Sequence, residues 1–195
     1  MGGLSDLTLG VGYPLRWKSQ RRSGTYGRFS WEGSRGQMVA SGVWFLSAAT
    51  ATWYSPSVAI WVLVVGGTFI FPLTQLLLRL LGRPVSLPKG NPMNALATQV
   101  AFTLPLNLPL IFAATVHNRS WFYPAFKVAL GSHYLPFIFL YGMWQFGALA
   151  AVLLGSGVVI GMYLPNVFSL GGWFTAATLL VFALIARSVV RSAEK

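Results

Sequence analysis

Apolar residues run in six blocks along the chain, at about residues 38–54, 57–81, 92–116, 121–141, 143–163 and 169–188. Each block is bounded by Pro, Gly, aromatic or basic residues and approaches the roughly 20 apolar residues that carry a helix across a bilayer. The pattern predicts an all-α protein, a polytopic transmembrane helical bundle of about six spans. Residues 1–36 then form a basic, aromatic-containing arm, 37–190 the spanning domain and 191–195 a short tail. The first block is short and the 141–143 connection is almost absent, so a re-entrant hairpin around Gly142 is the alternative. Three spans plus three would permit an inverted repeat, but no internal similarity between the halves supports one.

Composition agrees with the pattern. Hydrophobic residues make up 55% of the chain and charged residues 9%, with a mean hydropathy of +0.63, whereas a soluble domain carries about a quarter charged residues. Net charge is +11, from 14 Lys+Arg against 3 Asp+Glu. In a soluble protein that excess would suggest nucleic acid; beside apolar spans it reports topology, and no nucleic-acid partner is expected. With the N-terminus cytoplasmic, 12 of the 14 basic residues lie inside, and Arg119 and Lys127 alone lie toward the other face. An even span count with both termini inside follows, in a multi-pass protein of a prokaryotic cytoplasmic (inner) membrane. Trp53, Trp61, Trp121, Tyr123, Tyr163 and Trp173 fall near block ends, as an aromatic belt requires. About 37 residues precede the first block, too many for an ordinary cleaved signal peptide, so that block reads as a retained signal-anchor.

The arm places Arg16, Lys18, Arg21, Arg22, Arg28 and Arg35 among Tyr13, Trp17, Tyr26, Phe29 and Trp31, opposed only by Asp6 and Glu32. No helical apolar face persists through it. Its basic residues are expected to bind anionic lipid on the cytoplasmic face, each contributing about 1 kcal/mol at low salt; a docking arm for another membrane subunit is the alternative.

Candidate chemistry is narrowed mainly by what the blocks lack. There is no cysteine, and Asp6, Glu32 and Glu194 all lie outside the blocks. This argues against carboxylate-driven antiport, acidic cation filters, aspartyl dyads, carboxylate-oriented triads and HExxH metal sites. An enzyme is not expected, nor a metal site, since His133 and the outer-loop His117 make a weak pair. No cofactor is predicted, although His133 offers an axial ligand to a tetrapyrrole or other pigment.

Polar groups within the blocks are few. Gln99, Thr103 and Asn107 recur at i, i+4, i+8 along one helical stripe in the third block, between or beside Pro105 and Pro109, which remove backbone donors and can open carbonyls to a cavity. In the fourth block Lys127, Gly131, Tyr134, Ile138 and Tyr141 share a face, with His133 about a third of a turn away. Lys127 either snorkels to the outer headgroups, about 9 Å along the axis, or faces inward as an intramembrane cation with Gly131 leaving room for a ligand. Gly147, Ala151 and Gly155, with Gly157 and Gly161, give the spacing of close helix packing, and Gly66-Gly67 reads likewise.

The segments Lys89-Gly90-Asn91-Pro92, Leu104-Pro105-Leu106-Asn107-Leu108-Pro109-Leu110 and Gly131-Ser132-His133-Tyr134-Leu135-Pro136, with Tyr141, carry a resemblance over about residues 38–162. The chain resembles an uncharacterised family of small multi-span prokaryotic integral membrane proteins, of unknown function. The resemblance implies which positions matter and no reaction type; the long basic arm departs from it.

Three readings remain. The first is a small transporter or a ligand- or lipid-binding membrane protein for a neutral or anionic ligand, with Gln99, Thr103, Asn107, Lys127, His133, Tyr134 and Tyr141 as the site. The second is a non-catalytic subunit or assembly factor of a larger membrane complex, with lipid or pigment contacts. The third, an intramembrane lipid-modifying transferase, has only His133 as a base. Single cysteines introduced at positions 2 and 195 of this cysteine-free chain are expected to react with impermeant reagents only from the cytoplasmic side; labelling of either from outside overturns the orientation.

Overall fold

The computed structural model describes residues 25–80, 93–141, 143–164 and 166–193. Among them, α1 spans Thr25–Trp53, α2 Pro56–Leu80, α3 Met93–His117, α4 Phe122–Tyr134, α5 Phe137–Tyr141, α6 Gln145–Tyr163 and α7 Leu170–Ala193, with a 3-10 turn at Arg119–Trp121. Every apolar block falls on helix, and no strand occurs among the described residues. Helices α2, α3, α6 and α7 are long and apolar enough to cross a membrane, which fits an integral membrane protein. The other two blocks fall short of the same measure. Block one is diluted by Ser41, Ser47, Thr50 and Thr52, and block four is divided into α4 and α5.

Three local expectations are corrected. Helix α1 begins at Thr25, well before the apolar block, because polar residues are tolerated wherever a helix end meets water. Helix α3 runs unbroken through Pro105 and Pro109. Its polar side chains bond within the same stretch, Thr103 Oγ1 donating to the Val100 carbonyl and Asn107 Nδ2 to the Thr103 carbonyl, both at 2.7 Å, whereas the carbonyls that lose a donor to the prolines are those of Ala101 and Pro105. The break comes instead at Pro136, which has no N–H for the Ser132 carbonyl. The Leu135 N–H takes that carbonyl at 3.3 Å, and the chain turns before α5.

Side-chain size decides how the helices group. Helix α1 packs closely on α2 and α7, and α4 packs closely on α6 with α3 alongside. Small residues set both groups. A Cβ on Gly66 would meet Val43, and one on Gly172 would meet Ala48 at 2.9 Å, while Ser41 donates to the Ala176 carbonyl at 2.8 Å. In the other group a Cβ on Gly131 would lie 2.8 Å from Leu154 and 3.1 Å from the Ala150 carbonyl, and Gly157 and Gly161 abut Pro124. The helices therefore do not group by sequence halves.

Between the groups lie rings. Trp44 of α1 stands edge-on to Phe126 at 5.3 Å and tilted on Tyr123 at 5.9 Å, and Phe146 of α6 meets Phe182 of α7 at 5.1 Å. Tyr123 departs from the expected aromatic belt. It is buried, with Gly171 and Gly172 leaving space for its ring and its hydroxyl 2.6 Å from Ser47 Oγ. Trp53, Trp61 and Tyr163 are exposed as expected. The small-residue reading of α6 divides as well: Gly157 and Gly161 pack, Gly147 touches Ile138, and Ala151 and Gly155 face outward.

Gly131→Ala is expected to lower stability in detergent by about 1–3 kcal/mol through overpacking against the α6 backbone. Gly155→Ala, with nothing within 4 Å, should leave it unchanged or raise it by up to about 1 kcal/mol. Equal effects in denaturant unfolding would show that the α4–α6 contact is not set by Gly131.

Candidate functional site

Of the sequence-predicted site residues, Thr103 and His133 meet directly. Thr103 Oγ1 lies 2.7 Å from His133 Nδ1 and 2.7 Å from the Val100 carbonyl. The hydroxyl has one proton, and the carbonyl can only accept, so the imidazole donates from Nδ1 and its lone pair resides on Nε2. Tyr134 and Phe137 pack against the ring at 5.6 and 5.1 Å. This bond ties α3 to α4 near the Pro136 turn. Asn107, one turn along α3, is half-buried, and Gln99 is exposed.

The remaining predicted residues point elsewhere. Tyr134 is buried toward α1, where its hydroxyl donates to Gln37 Oε1 at 3.1 Å. Lys127 does not extend to the surface. It is 0% exposed, and its ammonium sits 4.2 Å from the centroid of the Phe174 ring on α7 with no hydrogen-bond partner. Gly131 leaves no ligand space beside it, because Leu154 and the α6 backbone occupy that face. Tyr141 closes α5, and its side chain is not among those described. Thr103 and His133 are therefore joined, with the Tyr134 ring against the imidazole and its hydroxyl turned to α1, while Lys127 and Gln99 face other surroundings.

A different feature is concave. A groove of about 510 Å³ lies between α3, α4 and α6, lined from α3 by Asn107, Leu110, Ile111, Ala113 and Ala114, from α4 by Pro124, Ala125, Val128, Ala129 and Ser132, and from α6 by Gly157, Val158 and Met162, with Trp121 at one end. Only Asn107 belongs to the predicted set. The α4 lining was legible as the stripe Trp121, Ala125, Val128, Ser132 at i, i+4, i+7, i+11, opposite the face that carries Lys127. Asn107 and Ser132 mark the other end, and each donates to its own helix, Ser132 Oγ to the Val128 carbonyl at 2.6 Å. A second hollow of about 430 Å³ at the ends of α2 and α3 is bordered by Ser57, Trp61, His117, Asn118 and Arg119.

Among the proposed lipid-binding residues, Arg16, Lys18, Arg21 and Arg22 lie outside the described residues. Arg28 belongs to α1 with its side chain not described, and Arg35 is half-buried there. The Lys89 to Pro92 motif also lies outside the described residues. No cluster of three potential metal ligands occurs among the described residues.

A double-mutant cycle with Thr103→Val and His133→Phe is expected to give a coupling of about 0.6 kcal/mol, and at most about 1.7. Additive losses in unfolding measurements would mean that the bond does not join the helices.

No curated protein and no solved structure matches the chain. A family model matches residues 29–188, nearly the whole helical region and all the lining of the groove. The chain belongs to the family of unknown function DUF7010.

Proposed function

We propose that the protein is a non-catalytic, membrane-embedded lipid-binding protein whose α3–α4–α6 groove holds one acyl or isoprenoid chain. The observation that supports this reading is the groove itself. At about 510 Å³ it falls within the range of small-ligand sites, and its walls are almost wholly apolar and rich in alanine. Polar ligands find little to bind there, since Asn107 and Ser132 already donate to carbonyls of their own helices.

Length and depth fit one leaflet. From Trp121 to Ser132 the groove follows α4 for about 16 Å, half of a hydrocarbon core of about 30 Å. In a cytoplasmic membrane with both termini inside, the Trp121 end lies at the outer interface, where tryptophan is favoured. Arg119 and Asn118 on the same turn are exposed and border the second hollow, placing a cation and an amide beside a headgroup.

Retained lipid tests the proposal. Wild-type protein purified in mild detergent should keep about one lipid per chain by native mass spectrometry. Ala113→Phe with Ala125→Leu fills the groove from an exposed and a half-buried position, and should lower retention about tenfold, or 1.4 kcal/mol, with helix content unchanged. Absence of lipid on the wild type, or equal retention by the filled variant, overturns the reading.

A further inference from the structure

Lys127 is the unsolved electrostatic feature of the bundle. Its side chain leaves α4 against Gly157 of α6, where an added Cβ would lie 3.2 Å from the Lys127 Cβ, and ends over Phe174 of α7. The ammonium thus lies where α4, α6 and α7 meet. It is fully buried and makes no hydrogen bond. One aromatic face offsets only part of the cost of removing a cation from water.

Among the described residues no carboxylate is placed to answer it. Asp6 and Glu194 lie outside the described residues, and the third acid, Glu32, lies in α1. Trp44 packs on Phe126 and so marks the level of Lys127 on α1; Glu32, three helical turns earlier, is about 18 Å away along the axis. A second copy inserted in the same orientation carries its acid at the same wrong depth.

We propose that the outward faces of α6 and α7 beside Phe174 form the docking surface for a membrane-spanning helix of another protein, and that a carboxylate on that helix pairs with the Lys127 ammonium. The Phe174 ring against which the ammonium sits is 40% exposed, and docking requires it to turn aside. Val152, Ser156 and Val159 of α6 and Phe174, Thr178 and Val181 of α7 recur at helical spacing on exposed or half-buried faces of the two helices, with Ser156 small enough for close approach. A lipid phosphate fits less well, because it belongs at the interface about 9 Å above Lys127, whereas a carboxylate on a helix can be fixed at any depth. The inference shares the membrane placement proposed above and does not use the groove, so either can fail alone.

The test uses full-length protein in phosphatidylcholine vesicles and a Leu/Ala host peptide of one span, oriented by lysines at its inner end. One version carries Asp at the depth of Lys127, another carries Leu there, and a third carries Asp near the inner end. Förster transfer should report about tenfold tighter association for the depth-matched Asp peptide than for the other two, equivalent to 1.4 kcal/mol. The gain should vanish in Lys127→Met and persist in Lys127→Arg. Equal association of the three peptides with wild-type protein overturns the proposal, as does a gain that survives in Lys127→Met; if that variant does not fold, the three peptides on wild-type protein decide. Loss of the gain on adding phosphatidylglycerol would assign the site to a lipid anion and overturn the partner helix.

Discussion

The contact on which the bundle depends is the layer of rings between its two helix groups. Glycine, alanine and serine draw α1 onto α2 and α7, and α4 onto α6, until backbones nearly touch. Between α1 and α4 the spacing is wider, and Trp44, Tyr123, Phe126 and Tyr134 fill it. Edge-to-face and tilted ring pairs are directional, so the layer sets the angle between the groups as well as their separation. Its two hydroxyls are satisfied across it: Ser47 donates to the Ala59 carbonyl at 2.8 Å and so receives the Tyr123 proton, and Tyr134 donates to Gln37.

This arrangement accounts for where the cavity lies and where it does not. At the ring layer Ser47 with Tyr123, and Gln37 with Tyr134, join helices. The groove forms between α3, α4 and α6, where alanines of α3 and α4 meet a glycine of α6. Most of the apolar stretch Gln99–His117 of α3 remains outside the core. Lys127 belongs to neither pattern. Thr103, Asn107, Ser132, Tyr123 and Tyr134 each have a partner, and the ammonium has only a ring.

Helix identity and approximate extent were legible from apolar block length, because a chain that cannot hydrogen-bond to its surroundings must satisfy its backbone within each segment. Proline positions were visible, but their effects were not. Pro105 and Pro109 look more disruptive than Pro136, yet α3 continues through both while the chain bends at Pro136. Spacing also placed Gln99, Thr103 and Asn107 on one stripe without telling which would find a partner. Thr103 did, because His133 arrives from α4; Gln99 lies beyond the contact and stays exposed.

The sequence by itself determined that the chain is helical, strongly apolar, without cysteine and without a carboxylate inside any apolar block, since these follow from composition and local pattern. Tertiary structure decided what each face meets. Lys127 could have reached the interface from its place in the sequence, and only the positions of α6 and α7 bury it against Phe174. Tyr123 belongs to a belt by position and to the core by contact, because Gly171 and Gly172 of a distant helix make space for its ring. Of the groove only the α4 stripe is legible locally: the α3 and α6 lining comes from distant parts of the chain, and a cavity exists only where these faces meet.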